Sequence, residues 1–196
     1  MTRIFYDTEF LEDGRTIELI SIGMVADDGR EYYAVSDAAT RRPLNGLIRR
    51  HPWLMANVVP SLPRPHGDWI FDMPKRWLFN YMDACVKPRA QIASEVRDFI
   101  LASPDPELWA WFAAYDHVVL AQLWGRMISM PKGIPMWTND LKQEAGRLGN
   151  PSLPPMPGVT EHNALSDARE VKFRYEYLAA HAAEFRKLAD EAEAAL

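Results

Sequence analysis

The chain of 196 residues holds a single cysteine, Cys85. One cysteine excludes an internal disulfide and any metal site built from a cysteine cluster. Long apolar runs are also missing: no stretch approaches the roughly 18 residues that a membrane span requires. The N-terminus is Met-Thr-Arg followed directly by a strand-like segment. With no apolar signal segment there, a cytoplasmic location is expected. A basic surplus is lacking as well. Lys and Arg number 22 against 27 Asp and Glu, a net charge of −5. A protein that grips a long duplex usually presents a basic face. The deficit argues against long-duplex binding.

Hydrophobic residues make up 48% and charged residues 25% of the chain, as in ordinary soluble globular proteins. The length suits one domain with a good core and is short for two. Seven Trp and eight Phe are expected to lie mostly in the core.

The acidic residues fall into short patches in a telling order: Asp7-Thr8-Glu9 near the start, Asp116 past the middle, and His162 with Asp167 near the end. Asp7 and Glu9 sit inside Arg3-Ile4-Phe5-Tyr6-Asp7-Thr8-Glu9-Phe10, an apolar and aromatic run that reads as a strand. Residues two apart on a strand point to one side. Both carboxylates therefore share a face, where they repel unless a hard cation sits between them. Oxygen ligands of this kind suit Mg²⁺ or Mn²⁺. Taken singly, each patch has a plainer reading. Asp-x-Glu can be a solvated edge-strand face, Asp116 a helix cap, and His162 with Asp167 a surface histidine ahead of a helix. Their joint occurrence in this order favours one site.

That order and spacing resemble the DEDDh 3′–5′ exonucleases. A Tyr four residues before the last Asp would mark the tyrosine subtype; here that position is Asn163, and His162 precedes it. The segments 109–117 and 133–138 look like the small bacterial exoribonucleases first described in mycobacteria, over roughly residues 1–180. Phe112 stands four residues before Asp116, where the family often carries a polar group. The resemblance implies a ribonuclease H-like α/β fold and two divalent ions, Mg²⁺ or Mn²⁺, held by Asp7, Glu9, Asp116 and Asp167. It implies His162 as general base, an RNA 3′ end as substrate and a nucleoside 5′-monophosphate as product. Thr8 and Phe10 would border the terminal nucleotide, and Gly23 would let a base approach the backbone. DNA trimming and catalytically silent nucleotide binding stand as alternatives, and a homodimer is an assembly open to such small enzymes. No membrane partner is implied.

Three strand-like runs open the chain, with Asp-Gly signals at 12–15 and 27–30 between them, so an antiparallel meander is expected. From about 43 to 90 a Pro- and Trp-rich excursion follows, read as ordered because it is rich in large apolar residues. Helix spacing appears over 90–102. A strand is expected over 107–112, then a helix from Asp116 through Met127 with Val119, Leu120, Leu123 and Met127 on one face. A short strand near 136–138, a helix over 139–148, a Pro-rich loop over 149–158 and a helix from near His162 past Tyr177 complete the domain. Residues 181–196 read as a C-terminal helical extension. The meander followed by alternating strands and helices indicates a mixed α/β sheet.

Overall fold

The computed structural model describes residues 1–64, 79–158 and 160–194. His66, Trp69 and Trp77 of the Pro- and Trp-rich excursion lie outside the described residues.

Strands β1 (Thr2–Glu12), β2 (Ile17–Ala26) and β3 (Glu31–Ser36) form the expected antiparallel meander. Its turns are made by Gly14 and Gly29, whose positive φ angles of 79° and 86° suit glycine. Strand β4 (Val86–Lys87) adds to β3 in parallel, β5 (Pro106–Ala110) to β1 in parallel, and β6 (Asn139–Asp140) to β5 in parallel. The six-stranded order is β4-β3-β2-β1-β5-β6, and only β2 opposes the rest. This is the mixed sheet, an antiparallel meander extended by parallel strands, that the sequence leads one to expect. Strand β1, flanked on both sides, is central, and its near-continuous burial follows.

The alternation along β1 sorts the helices. Ile4 and Tyr6 pack with Ile92, Val96 and Ile100 of α3 (Arg89–Leu101) and with Val119 and Leu120 of α4 (Ala113–Gln122). Phe5 packs with Leu141 and Ala145 of α5 (Leu141–Arg147) and with Val171 and Leu178 of α6 (Ala164–Ala194). The described part of the excursion contains two short helices, α1 (Leu44–Ile48) and α2 (Pro52–Asn57), and a 3-10 turn at Val59–Ser61. They bury Leu44, Ile48, Leu54 and Val58 against Leu11, Ile20 and Val35, a separate core that keeps this segment ordered without regular periodicity.

Several boundaries differ from the sequence reading. Helix α4 begins three residues before Asp116, so this residue lies inside the first turn; Phe112 takes the cap position in the left-handed region. The helix stops at Gln122, and Met127 is exposed rather than continuing the apolar face. The strand expected at 136–138 forms at Asn139–Asp140 instead, and Asp140 caps α5 by accepting from the Lys142 N–H. Residues 181–194 continue α6 without a break, with Ala182 and Phe185 packed on its core. Among the described residues no helix is long and apolar enough to cross a membrane.

Candidate active site

Strand β1 outruns β5. Their pairing ends at Phe5–Trp109. The Thr2 N–H donates to the Asp105 carbonyl, and amides of alternate residues on a strand point the same way, so the Thr8 N–H also points toward β5 but beyond its end. A buried amide without a partner is costly. Asp116, from the first turn of α4, takes that N–H at 2.9 Å and the Thr8 hydroxyl at 2.6 Å, both on Oδ1. Thr8 is buried. Its side chain therefore holds a carboxylate.

The other face of β1 carries Asp7 and Glu9, opposite Gly23 and Ser21 of β2. The start of α6 lies against this pair. A Cβ on Gly23 would collide with the backbone of Ala164 and Leu165. The missing side chain admits the protein's own helix, not a base, which corrects the expected role of Gly23. Because α6 seats so closely, Asp167 in its first turn reaches the β1 carboxylates. Ligand atoms of Glu9, His162 and Asp167 lie within 4.8 Å of one another.

Electrostatics place all four carboxylates in one field. Burial pushes Asp7 well above the usual range, and Asp116, Glu9 and Asp167 add to the rise in that order. Glu9 is pushed up to about 8, first by burial and then by Asp167 and Asp116. Asp167 rises to about 7 and Asp116 to about 6, burial again leading. The Thr8 hydrogen bonds hold Asp116 lower than burial alone would. Mutually repelling, partly desolvated carboxylates fit a hard divalent ion.

His162 precedes α6 by two residues and adopts the left-handed region, φ 59°. For a non-glycine residue this costs about 1 kcal/mol or more and persists only where the surroundings impose it. They do. The His162 N–H donates to Asp167, and Ser61 Oγ donates to the His162 carbonyl at 2.5 Å. The Trp53 ring stands edge-on to the imidazole at 4.8 Å. Asn163 caps α6 by accepting from the Ser166 N–H at 3.1 Å. Sequence reasoning missed Ser61 and Trp53; they sit 101 and 109 positions away, in a segment with no periodicity, and no local signal marks them. It also missed the chain Tyr6–Thr138–His117, linked at 2.6 and 2.9 Å, which ties the residue after Asp116 to β1.

A cavity of about 240 Å³ opens beside these groups, walled by Asp7, His162, Asp167, Trp111, Glu170 and Arg174 among others. Phe10 lies across from Tyr115, rings stacked at 6.1 Å. Tyr115 and Phe112 are largely exposed. The expected residues Asp7, Glu9, Asp116, His162 and Asp167 are thus drawn from three separate elements and one loop to the C-terminal end of the parallel strands, where ligands bind in open α/β sheets.

No family model matches the chain. It is 42% identical over 175 residues to a 3′–5′ exoribonuclease of Mycobacterium tuberculosis strain CDC 1551 / Oshkosh, covering 88% of this chain and 90% of the relative. The 3′–5′ exoribonuclease of strain H37Rv of that species matches at the same identity and coverage. Among solved structures, S. pombe Pop2p in its Mg²⁺- and Mn²⁺-bound form aligns over 90% of this chain and 82% of its own, with 13% identity and a TM-score of 0.38. The identity and coverage shared with the mycobacterial proteins show that the chain belongs to their family of small 3′–5′ exoribonucleases.

Proposed function

We propose that the protein is a divalent-metal-dependent 3′–5′ exoribonuclease that trims single-stranded or 3′-overhanging RNA to nucleoside 5′-monophosphates. The observation that carries this reading is the convergence of Asp7, Glu9, Asp116 and Asp167 with His162 in a chain 42% identical to named exoribonucleases. Two Mg²⁺ or Mn²⁺ ions would be held by Asp7, Glu9, Asp116 and Asp167. When bound, such ions neutralise phosphodiester oxygens and acidify a water.

The remaining chemistry belongs to side chains. His162 accepts the proton of the attacking water, whose oxygen forms a bond to phosphorus as the bond to the 3′ oxygen breaks. The 3′ oxygen of the shortened strand takes up a proton from solvent. Left-handed backbone at His162, braced by Ser61 and Trp53, fixes the imidazole on the lip of the cavity. Phe10 and Tyr115 offer apolar faces to the terminal base.

Labelled RNA and DNA oligomers of one sequence, incubated with Mg²⁺, with Mn²⁺ and with chelator, test the reading. Metal-dependent loss of RNA from a free 3′ end supports it. Faster loss of DNA would favour a deoxyribonuclease, and no cleavage of either would leave a nucleotide-binding protein.

A further inference from the structure

The cavity beside the carboxylates is strongly acidic, yet an RNA strand entering it brings phosphates. Arg174 is the only Arg or Lys that lines it among the described residues. Asp167, Glu170, Val171 and Arg174 recur at helical spacing on one face of α6. The Cα atoms of Asp167 and Arg174 are about 10 Å apart by helix rise. Side chains on a helix lean toward its N-terminus, and the Arg174 guanidinium returns accordingly over Glu170, with Nη2 at 2.7 Å from Oε1. Its Cζ stands 4.8 Å from the centre of the Trp111 ring. Lys142 of α5 places Nζ 5.9 Å from the centre of the same ring. Two cations from two helices thus approach the Trp111 ring, in the wall of the cavity beside the carboxylates.

A helix brace needs less than this. Glu170 takes one of the five N–H donors that an arginine offers; the Nε–H is buried and has no partner among the described residues. An arginine left free so near Asp7 and Asp167 would collapse onto them and compete with a metal. Glu170 tethers it about a turn away, where its positive charge still reaches Asp167 and opposes part of that residue's upward shift.

We propose that Arg174 and Lys142, both close to the Trp111 ring, form a phosphate-binding strip for the RNA phosphodiesters on the 5′ side of the scissile bond. This rests on the exoribonuclease reading and deepens it. An enzyme that removes the 3′-terminal nucleotide must carry the rest of the strand out of the cavity in the 5′ direction. The strip leads from Asp167 along α6 to Trp111 and on to α5.

The test compares kcat/KM on a dinucleotide, which has only the scissile phosphodiester, with kcat/KM on an RNA octamer, at several salt concentrations. Arg174→Ala loses about tenfold more on the octamer than on the dinucleotide, mostly in KM. Its log–log salt dependence on the octamer flattens by about 0.7, the value for one lost single-strand phosphate contact. Lys142→Ala moves both readouts the same way, by a smaller amount in kcat/KM. Should Arg174→Ala fail to fold, Lys142→Ala, whose ammonium group is at the surface, decides by the same salt slope. An active wild type with equal losses on both substrates and an unaltered salt slope in the variants overturns the strip alone. An inactive wild type overturns the reading beneath it as well.

Discussion

Thr8 grips Asp116 twice, through its backbone N–H at 2.9 Å and its hydroxyl at 2.6 Å, and both bonds end on Oδ1. One carboxylate oxygen is thereby committed to β1, and the direction of the other follows. Thr8→Val keeps the shape and the backbone bond but removes the hydroxyl. A buried hydrogen bond to a charged group contributes about 1.5–3 kcal/mol. Loss of that restraint is expected to lower kcat by about tenfold while circular dichroism stays native. Unaltered turnover with native stability would show that the hydroxyl does not position Asp116.

Gly23 tests the seating of α6. A methyl group there meets backbone, not a yielding side chain tip. Gly23→Ala is therefore expected to destabilise by about 1–3 kcal/mol, the range for overpacking, and to move Asp167 away from Asp7. Activity should fall more than stability, and metal affinity should fall with it. A variant with wild-type melting temperature and metal affinity would mean that α6 does not depend on this contact.

His162 is held on the cavity lip by Ser61 and Trp53. His162→Ala is expected to lose about two to four orders of magnitude in turnover, the usual size of a general-base effect. Nucleotide binding should persist, since the four carboxylates remain. An unchanged rate would assign the proton transfer to another group or to hydroxide.

Protonation links the site to stability. Glu9 at about 8, Asp167 at about 7 and Asp116 at about 6 all lie above their usual values, chiefly through burial. The folded state therefore binds these protons more tightly than the unfolded chain. Their stabilising effect is complete below about pH 4 and is lost as pH rises through 6 to 8. Asp28 and Glu31, held low by Arg30 and Arg169, titrate below this window. Melting temperature of the metal-free protein should fall between pH 5 and 8.5, and Mn²⁺ should reverse the fall by replacing protons. Asp7→Asn should flatten it. A melting temperature that holds level or rises across that range without metal would contradict the coupled carboxylate field.

Much of this was legible in the residues. The period-two face of Asp7 and Glu9, the Asp-Gly turns and the spacing of His162 to Asp167 are local patterns, and local patterns survive in a linear reading. What escaped was non-local. Nothing near Thr8 signals that its amide outruns β5 and needs Asp116. Nothing near Gly23 announces that the start of α6 presses on it, since a glycine in a strand serves equally for a ligand or for the chain itself. The support that Ser61 and Trp53 give His162 depends on packing of a segment without periodicity. Helix ends were misplaced where a left-handed cap at Phe112 moved the start of α4 ahead of its acidic residue.

The most direct measurement follows 5′-labelled single-stranded RNA through time with Mg²⁺ or Mn²⁺, using wild-type protein and Asp7→Ala, alongside the same RNA with a 3′ phosphate and a circular RNA. One hydrolytic centre built on Asp7, Glu9, Asp116, Asp167 and His162 predicts a ladder shortening by single nucleotides and release of nucleoside 5′-monophosphates. The 3′ phosphate should slow it strongly, the circle should persist, and Asp7→Ala should be inactive yet folded. Full activity of Asp7→Ala, or cleavage of the circle at a comparable rate, would contradict the account.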